Sequence, residues 1–124
     1  MQTRAEPLLH VAILAILAGC SGPFVPDHST EDAIRAFTSC VYGYASPRLD
    51  FNVTAEELAE AAIGACPSQL NEVRELLVRS SGQSVADRTA EDFMQETRRS
   101  LLTSIVDARN LKQPLQVPSA PAGN

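Results

Sequence analysis

The organisation of the chain follows from residues 54–77, TAEELAEAAIGACPSQLNEVRELL. Thr54 and Glu57 have the spacing of a capping box, in which each side chain hydrogen-bonds the backbone amide of the other at the start of a helix. At 100° per residue, the apolar side chains that follow form one stripe, which keeps its phase past Pro67. The stripe contains Leu58, Ala62, Ala65, Cys66, Leu70, Val73, Leu76 and Leu77.

A break in the helix is not expected to preserve the phase of the apolar stripe. We therefore predict one long helix over residues 55–80, bent at Pro67. The alternative is two helices, with Pro67 at the first position of the second, where its missing N–H is not needed. Gly82 is a suitable residue to follow the end of this helix.

Two further helices flank this segment. The first is predicted over residues 30–45, where Ile34, Phe37, Val41 and Tyr44 fall within an arc of about 80°. The last is predicted to begin at Ser84–Asp87, where Ser84 and Asp87 have box-like spacing, and its main body covers residues 86–111. Its apolar face contains Ala90, Phe93, Met94, Thr97, Leu101, Ile105 and Ala108. The sequence thus predicts an all-α domain over residues 30–112, a small bundle of three helices.

Composition favours the same fold class and excludes some functions. Aromatic residues are 5% of the chain and Trp is absent, so Ala, Leu, Ile and Val must supply most of the core, which favours close-packed helices. The net charge of −5 is a poor match to nucleic acid, which needs clustered Lys and Arg. It is equally poor for a protein held to anionic lipid by charge. We therefore expect no nucleic-acid partner.

The N-terminal region has the layout of an export signal. Residues 8–18 are apolar except for His10, and a run of about 11 residues is too short to cross a bilayer as a helix. The run ends in Leu17-Ala18-Gly19-Cys20, which resembles the lipobox of bacterial lipoprotein precursors at all four positions. The resemblance implies a signal peptide over residues 1–19, cleavage between Gly19 and Cys20, and lipid on Cys20.

The resemblance also implies a location. A lipidated Cys20 places the protein in the cell envelope, anchored to a membrane by its acyl chains. Ser21 is not the Asp associated with retention in the inner membrane, so a Gram-negative source implies the outer membrane, facing the periplasm. Residues 20–29, with Gly22, Pro23 and Pro26, are then a flexible tether.

If Cys20 carries lipid, Cys40 and Cys66 remain as a pair. In an exported protein such a pair predicts a structural disulfide. The alternatives are two free thiols, or a redox or metal site. The spacing is not C-x-x-C, and beyond the predicted signal the only His is His28, so we expect no metal and no cofactor.

Two irregular segments complete the chain. In the loop over residues 47–53, Phe51 and Val53 are expected to fold back onto the core. Residues 113–124 contain Pro114, Pro118 and Pro121 among mostly small residues, and we expect this tail to be disordered.

The sequence favours binding over catalysis. It has no G-x-S-x-G, no Cys–His candidate outside the tether and no Gly-rich phosphate loop, so no catalytic residue is predicted. The first hypothesis is a non-enzymatic envelope lipoprotein that acts by protein–protein contact or as a structural module. Its possible partner contacts lie off the predicted core faces or beside a helix end, and are Tyr42, Arg48, Leu102 and Val106.

The second hypothesis is a periplasmic module that binds a small apolar ligand or lipid, in a cavity lined by Phe37, Leu58, Phe93 and Met94. The third is an enzyme, which requires a cleft with converging carboxylates of raised pKa.

Overall fold

The structure, a computed structural model, describes residues 28–118. The predicted signal peptide over residues 1–19, residues 20–27 of the tether and residues 119–124 of the tail lie outside this range. The helices are α1 (His28–Ala45), α2 (Ala55–Gly64), α3 (Pro67–Ser81) and α4 (Gln83–Leu111), with a 3-10 turn at Ser46–Arg48. No strand occurs within the described range, so the all-α class is confirmed. His28 and Ser29, assigned above to the tether, begin α1.

The prediction of one bent helix over residues 55–80 is wrong. α2 ends at Gly64, α3 begins at Pro67, and Cys66 between them has φ −119° and ψ 47°. Proline lacks an N–H and its ring disfavours helical geometry in the residue before it. At the first position of a helix neither property matters. The alternative with two helices is therefore right, and residues 28–118 contain four α-helices rather than three.

The apolar stripe keeps its phase because α2 and α3 follow one another along the same neighbours. Both helices pack against α1 and both pack against α4. Phe37 faces Phe93 and Tyr42 faces Ser104, so α1 and α4 run in the same direction. α2 and α3 lie between α1 and α4 and run in the opposite direction. Together they occupy the place of the predicted long helix. The buried part of the stripe is Leu58, Ala62, Cys66, Leu70, Val73 and Leu77.

The disulfide between Cys40 and Cys66 is confirmed. The Sγ–Sγ distance is 2.08 Å and the two Cα atoms are 6.1 Å apart, which is ordinary disulfide geometry. Cys66 is fully buried at the junction of α2 and α3. The bond therefore ties α1 to the point where the returning helical segment is interrupted.

Gly82 alone connects α3 to α4. Its φ of 79° lies in the region that favours glycine, and its N–H donates to the Val78 carbonyl at 2.9 Å. α4 begins at Gln83, three residues earlier than predicted. Ser84 therefore lies inside the helix, and no side chain caps the start of α4.

The described part of the C-terminal tail has an irregular but packed course. We expected disorder from residue 113 onward, yet Leu115 is buried against the core. Lys112 takes a left-handed conformation with φ 50°, and the Gln113 N–H donates to the Ala108 carbonyl at 3.0 Å. Residues 113–118 have no regular secondary structure, but Leu115 holds them beside α4.

The capping box at the start of α2 is confirmed, and it supports a stability prediction. The Glu57 N–H donates to Thr54 Oγ1 at 3.1 Å, and the Thr54 N–H donates to Glu57 Oε2 at 2.8 Å. Thr54→Ala removes an acceptor that a helix start needs, so we expect it to lower the free energy of unfolding by about 1 kcal/mol in urea titration.

Thr103→Ala is the matched control for Thr54→Ala. Thr103 is exposed in the middle of α4, and its hydroxyl donates to the Arg99 carbonyl, which the helix already uses. Because Ala is a better helix former than Thr, we expect no loss of stability. Equal losses in the two variants would contradict the role assigned to the cap.

Candidate interaction surface

A single arginine holds the loop between α1 and α2 against the end of α4. Arg109 donates from Nε to the Leu49 carbonyl at 2.9 Å, from Nη1 to the Val53 carbonyl at 2.9 Å, and from Nη2 to the Phe51 carbonyl at 3.4 Å. The planar guanidinium has five N–H donors in a fixed fork, which suits several acceptors at once. The loop therefore has a defined course although it forms no helix or strand.

The same bonds leave two apolar side chains outside the core. Phe51 is 57% exposed and Val53 is 40% exposed, so the expectation that they fold back onto the core is wrong. The carbonyls of residues 49, 51 and 53 face α4, and these two side chains stay on the solvent side. Leu49 in the same loop does pack against the core.

α4 adds apolar side chains on the flank that carries Arg109. Val106 precedes Arg109 by one turn and is 41% exposed, while Leu102 one turn earlier is half-buried against the core. On the helical wheel, residues 102, 106 and 109 lie within about 60° of one another. We use the name loop patch for Phe51, Val53, Leu102 and Val106. It contains two of the predicted partner contacts, Leu102 and Val106.

Tyr42 was predicted as an exposed contact, and this prediction is wrong. Tyr42 is 2% exposed, and its hydroxyl lies 3.4 Å from Ser104 Oγ on α4. The buried face of α1 is wider than the predicted arc because α1 meets α2 and α3 on one side and α4 on the other. Tyr44, placed on that arc, is only half-buried.

Arg48, another predicted contact, is half-buried and engaged within the protein. Its guanidinium lies 3.8 Å from the centroid of the Tyr44 ring, and Nη1 donates to the Tyr44 carbonyl at 2.7 Å. Such a cation–π contact contributes about 0.5–1 kcal/mol at an exposed site. Arg48 therefore secures the end of α1 through contacts with neutral groups.

The carboxylates near the start of α2 do not converge. Glu57 belongs to the capping box, and Glu60 accepts two hydrogen bonds from Arg98 of α4. The hydrogen bond and charge of Glu60 raise the pKa of Arg98, against a smaller lowering by partial burial. Among residues 28–118, no group of three or more His, Cys, Asp or Glu side chains is placed to hold a metal ion.

An open groove of about 450 Å³ lies between α4 and the C-terminal segment. Its charged residues, Glu96 and Arg99, pair with each other at 3.2 Å. Ser100, Thr103, Ser104 and Gln116 add hydroxyl and amide groups to the lining. None of the four residues proposed above for an apolar cavity belongs to it. The lining is Tyr42, Glu96, Arg99, Ser100, Thr103, Ser104, Gln116, Val117 and Pro118.

Phe37 and Leu58, from the proposed apolar cavity, are buried, and the Phe37 and Phe93 ring centroids are 5.5 Å apart. These side chains fill the core where the ligand was expected. The geometry therefore favours the loop patch as the candidate site.

Arg109→Met tests whether the guanidinium positions the loop. Met keeps an apolar stem but removes all the donors, so the loop carbonyls lose their partner. We expect a loss of about 1 kcal/mol of stability and roughly fivefold faster hydrogen exchange at the Phe51 and Val53 amides. Arg99→Met is the matched control, since Arg99 pairs only with Glu96 on its own helix. Unchanged exchange in Arg109→Met would show that the loop holds its course without Arg109.

The helices of the domain are amphipathic. Within residues 28–118, none is long and apolar enough to cross a membrane. Their apolar side chains meet in one core instead.

No protein-family model, no curated protein and no solved structure matches the chain.

Proposed function

We propose that this chain is a non-enzymatic, lipid-anchored protein of the cell envelope, and that its helical domain binds another protein through the loop patch. The observation that carries the proposal is the exposure of Phe51, Val53 and Val106 around one arginine that donates to three loop carbonyls. Binding energy at protein interfaces is concentrated in a few apolar anchors. Holding such anchors in place before binding reduces the entropy lost on association.

The anchor in this proposal is Cys20. Its support is the resemblance of residues 17–20 to a lipobox and the apolar run before them. The Cys40–Cys66 disulfide suits an oxidising compartment outside the cytoplasm. In a Gram-negative source the proposed location is the outer membrane, with the domain facing the periplasm.

The loop patch and the start of the domain lie at opposite ends of the bundle. α1 has 18 residues and is about 27 Å long, with His28 at one end and the loop after the other. The tether that follows a lipidated Cys20 would join the domain at the His28 end. The loop patch would then lie at the end of the domain that is farther from its point of attachment.

Site-specific photo-crosslinking in the host cell tests the binding surface. A photoreactive benzoylphenylalanine at position 106 is expected to give a discrete crosslinked species. The same residue at position 85 is the matched control, because Val85 is 52% exposed but lies near the other end of α4. Equal crosslinking from the two positions, or none from 106, would contradict the proposed surface.

The anchor has its own test, which is the intact mass of the protein from the membrane fraction. We expect a chain that begins at Cys20 and carries acyl chains. A chain that begins at Met1, or a cleaved chain without lipid, would contradict the anchor and leave the binding surface to be judged by crosslinking.

A further inference from the structure

The charges beside the loop patch are unevenly distributed. Residues 49–60 read LDFNVTAEELAE and contain four carboxylates and no Lys or Arg. Glu57 and Glu60 have partners within the domain, as described above. Asp50 and Glu56 are exposed and make no ion pair with any residue of the described range. Each stands close in sequence to an apolar residue of the patch.

The basic residues at this end of the bundle lie outside the segment that carries those carboxylates. Arg109 directs its donors at three loop carbonyls, and Arg48 lies over the Tyr44 ring. Arg98 is paired with Glu60. Lys112, after the last turn of α4, is exposed and lies beyond Arg109 in the chain. Arg109 and Arg48 contact neutral groups and keep their positive charge, but both are half-buried, and the exposed charges of residues 49–57 themselves are all carboxylates.

We propose that the loop patch binds an apolar segment of a partner protein that is flanked by Lys or Arg. This inference rests on the proposed function, and it adds the chemistry of the partner. The apolar part of the segment covers Phe51, Val53 and Val106. Its cations lie on the loop side, beside Asp50 and Glu56. Complementary charge at the rim of an interface speeds encounter and rejects partners of the wrong sign.

The same charges argue against two other occupants. An anionic lipid surface would be repelled by Asp50 and Glu56. A second copy of this chain would bring an equally acidic loop to the contact, since a symmetric dimer uses the same patch on both sides. Like charges placed together in an interface disfavour it.

A pair of designed peptides tests the inference. The probes are a short amphipathic peptide of Leu and Lys and its counterpart of Leu and Glu, each with a fluorescent label. The protein is the full chain with Cys20→Ser, so that no acyl chain takes part. Binding is measured by fluorescence anisotropy. We expect the Leu/Lys peptide to bind at least tenfold more tightly than the Leu/Glu peptide, and to weaken as salt is raised.

Charge-reversal variants locate the contact. The double variant Asp50→Lys/Glu56→Lys is expected to weaken binding of the Leu/Lys peptide roughly tenfold. The double variant Glu72→Lys/Asp92→Lys is the matched control, because both of these carboxylates are exposed, unpaired among the described residues and outside the loop patch. An equal effect of the two double variants would mean non-specific attraction to an acidic protein and would overturn the inference.

Apolar variants separate this inference from the function on which it rests. Phe51→Ser is expected to weaken peptide binding, while Val85→Ser is not. If Phe51→Ser weakens binding but charge reversal does not, the loop patch binds apolar segments of any charge, and only the partner chemistry is wrong. If Phe51→Ser has no effect, the patch itself is wrong.

Two further measurements address the rejected occupants directly. Co-sedimentation with phosphatidylglycerol vesicles that depends on Phe51 would overturn the inference in favour of a lipid surface. Self-association that is lost in Phe51→Ser, measured by analytical ultracentrifugation, would overturn it in favour of a second copy.

Discussion

Replacing Phe37 with alanine is expected to lower the free energy of unfolding by about 3–5 kcal/mol, measured by urea denaturation at 25 °C. Phe37 is fully buried in α1, and its ring centroid lies 5.5 Å from that of Phe93 in α4. Much of the core is alanine, whose side chain cannot turn to fill the space that the ring leaves. A loss of this size is a large part of the 5–15 kcal/mol available to a typical domain.

Phe51→Ala is the matched control for this variant. It removes the same atoms from a side chain that is 57% exposed, so we expect a change within about 0.5 kcal/mol. Similar losses in the two variants would contradict the burial assigned to both residues.

Removal of the Cys40–Cys66 disulfide is expected to lower the free energy of unfolding by a comparable amount. Cys40 and Cys66 are separated by 26 positions, and in the chain-entropy model closing such a loop contributes about 3.5 kcal/mol. For the double variant Cys40→Ala/Cys66→Ala we therefore expect a fall in Tm of roughly 15–25 °C, measured by circular dichroism.

Chemical reduction of the unmodified protein is the control for lost volume. Reduction breaks the cross-link but keeps both sulfur atoms, whereas the double variant also leaves a gap at the buried Cys66. We expect the reduced protein to lose most of the stability that the variant loses. A reduced protein as stable as the oxidised one would show that the core, rather than the cross-link, holds α1 to the junction of α2 and α3.

Local patterns in the sequence were enough to predict most of the helical architecture. The capping box at Thr54 and the apolar stripes depend on residues a few positions apart. The pairing of Cys40 with Cys66 depends on the expectation that Cys20, the third cysteine, carries lipid. The effect of Pro67 is harder to predict, because the phase of the stripe is compatible with both alternatives. Two successive helices that pack on the same neighbours also preserve the phase of a stripe, so phase does not distinguish a bend from a break.

The candidate surface could be predicted only in part, because it depends on contacts between distant residues. Leu102 and Val106 were singled out by their position on the helical wheel. No sequence pattern indicates the role of Arg109. Its acceptors are backbone carbonyls some 60 residues away, and the sequence does not show which carbonyls these are. The burial of Tyr42 likewise follows from the approach of α4 to α1. Leu115 is a single apolar residue in a proline-containing segment, and only the fold shows that it has a place to pack.

The position of the loop within the disulfide ring has a mechanical consequence. Phe51 and Val53 lie between Cys40 and Cys66, inside the covalent ring that the disulfide closes. A pull between residue 28 and the loop is therefore carried along the backbone of residues 28–66, and it reaches α4 only through noncovalent contacts such as the three hydrogen bonds of Arg109. Tension applied there can draw out only the first part of α1 and the two arms of the ring. The backbone of α3 and α4 lies outside the ring and is not itself stretched by such a pull.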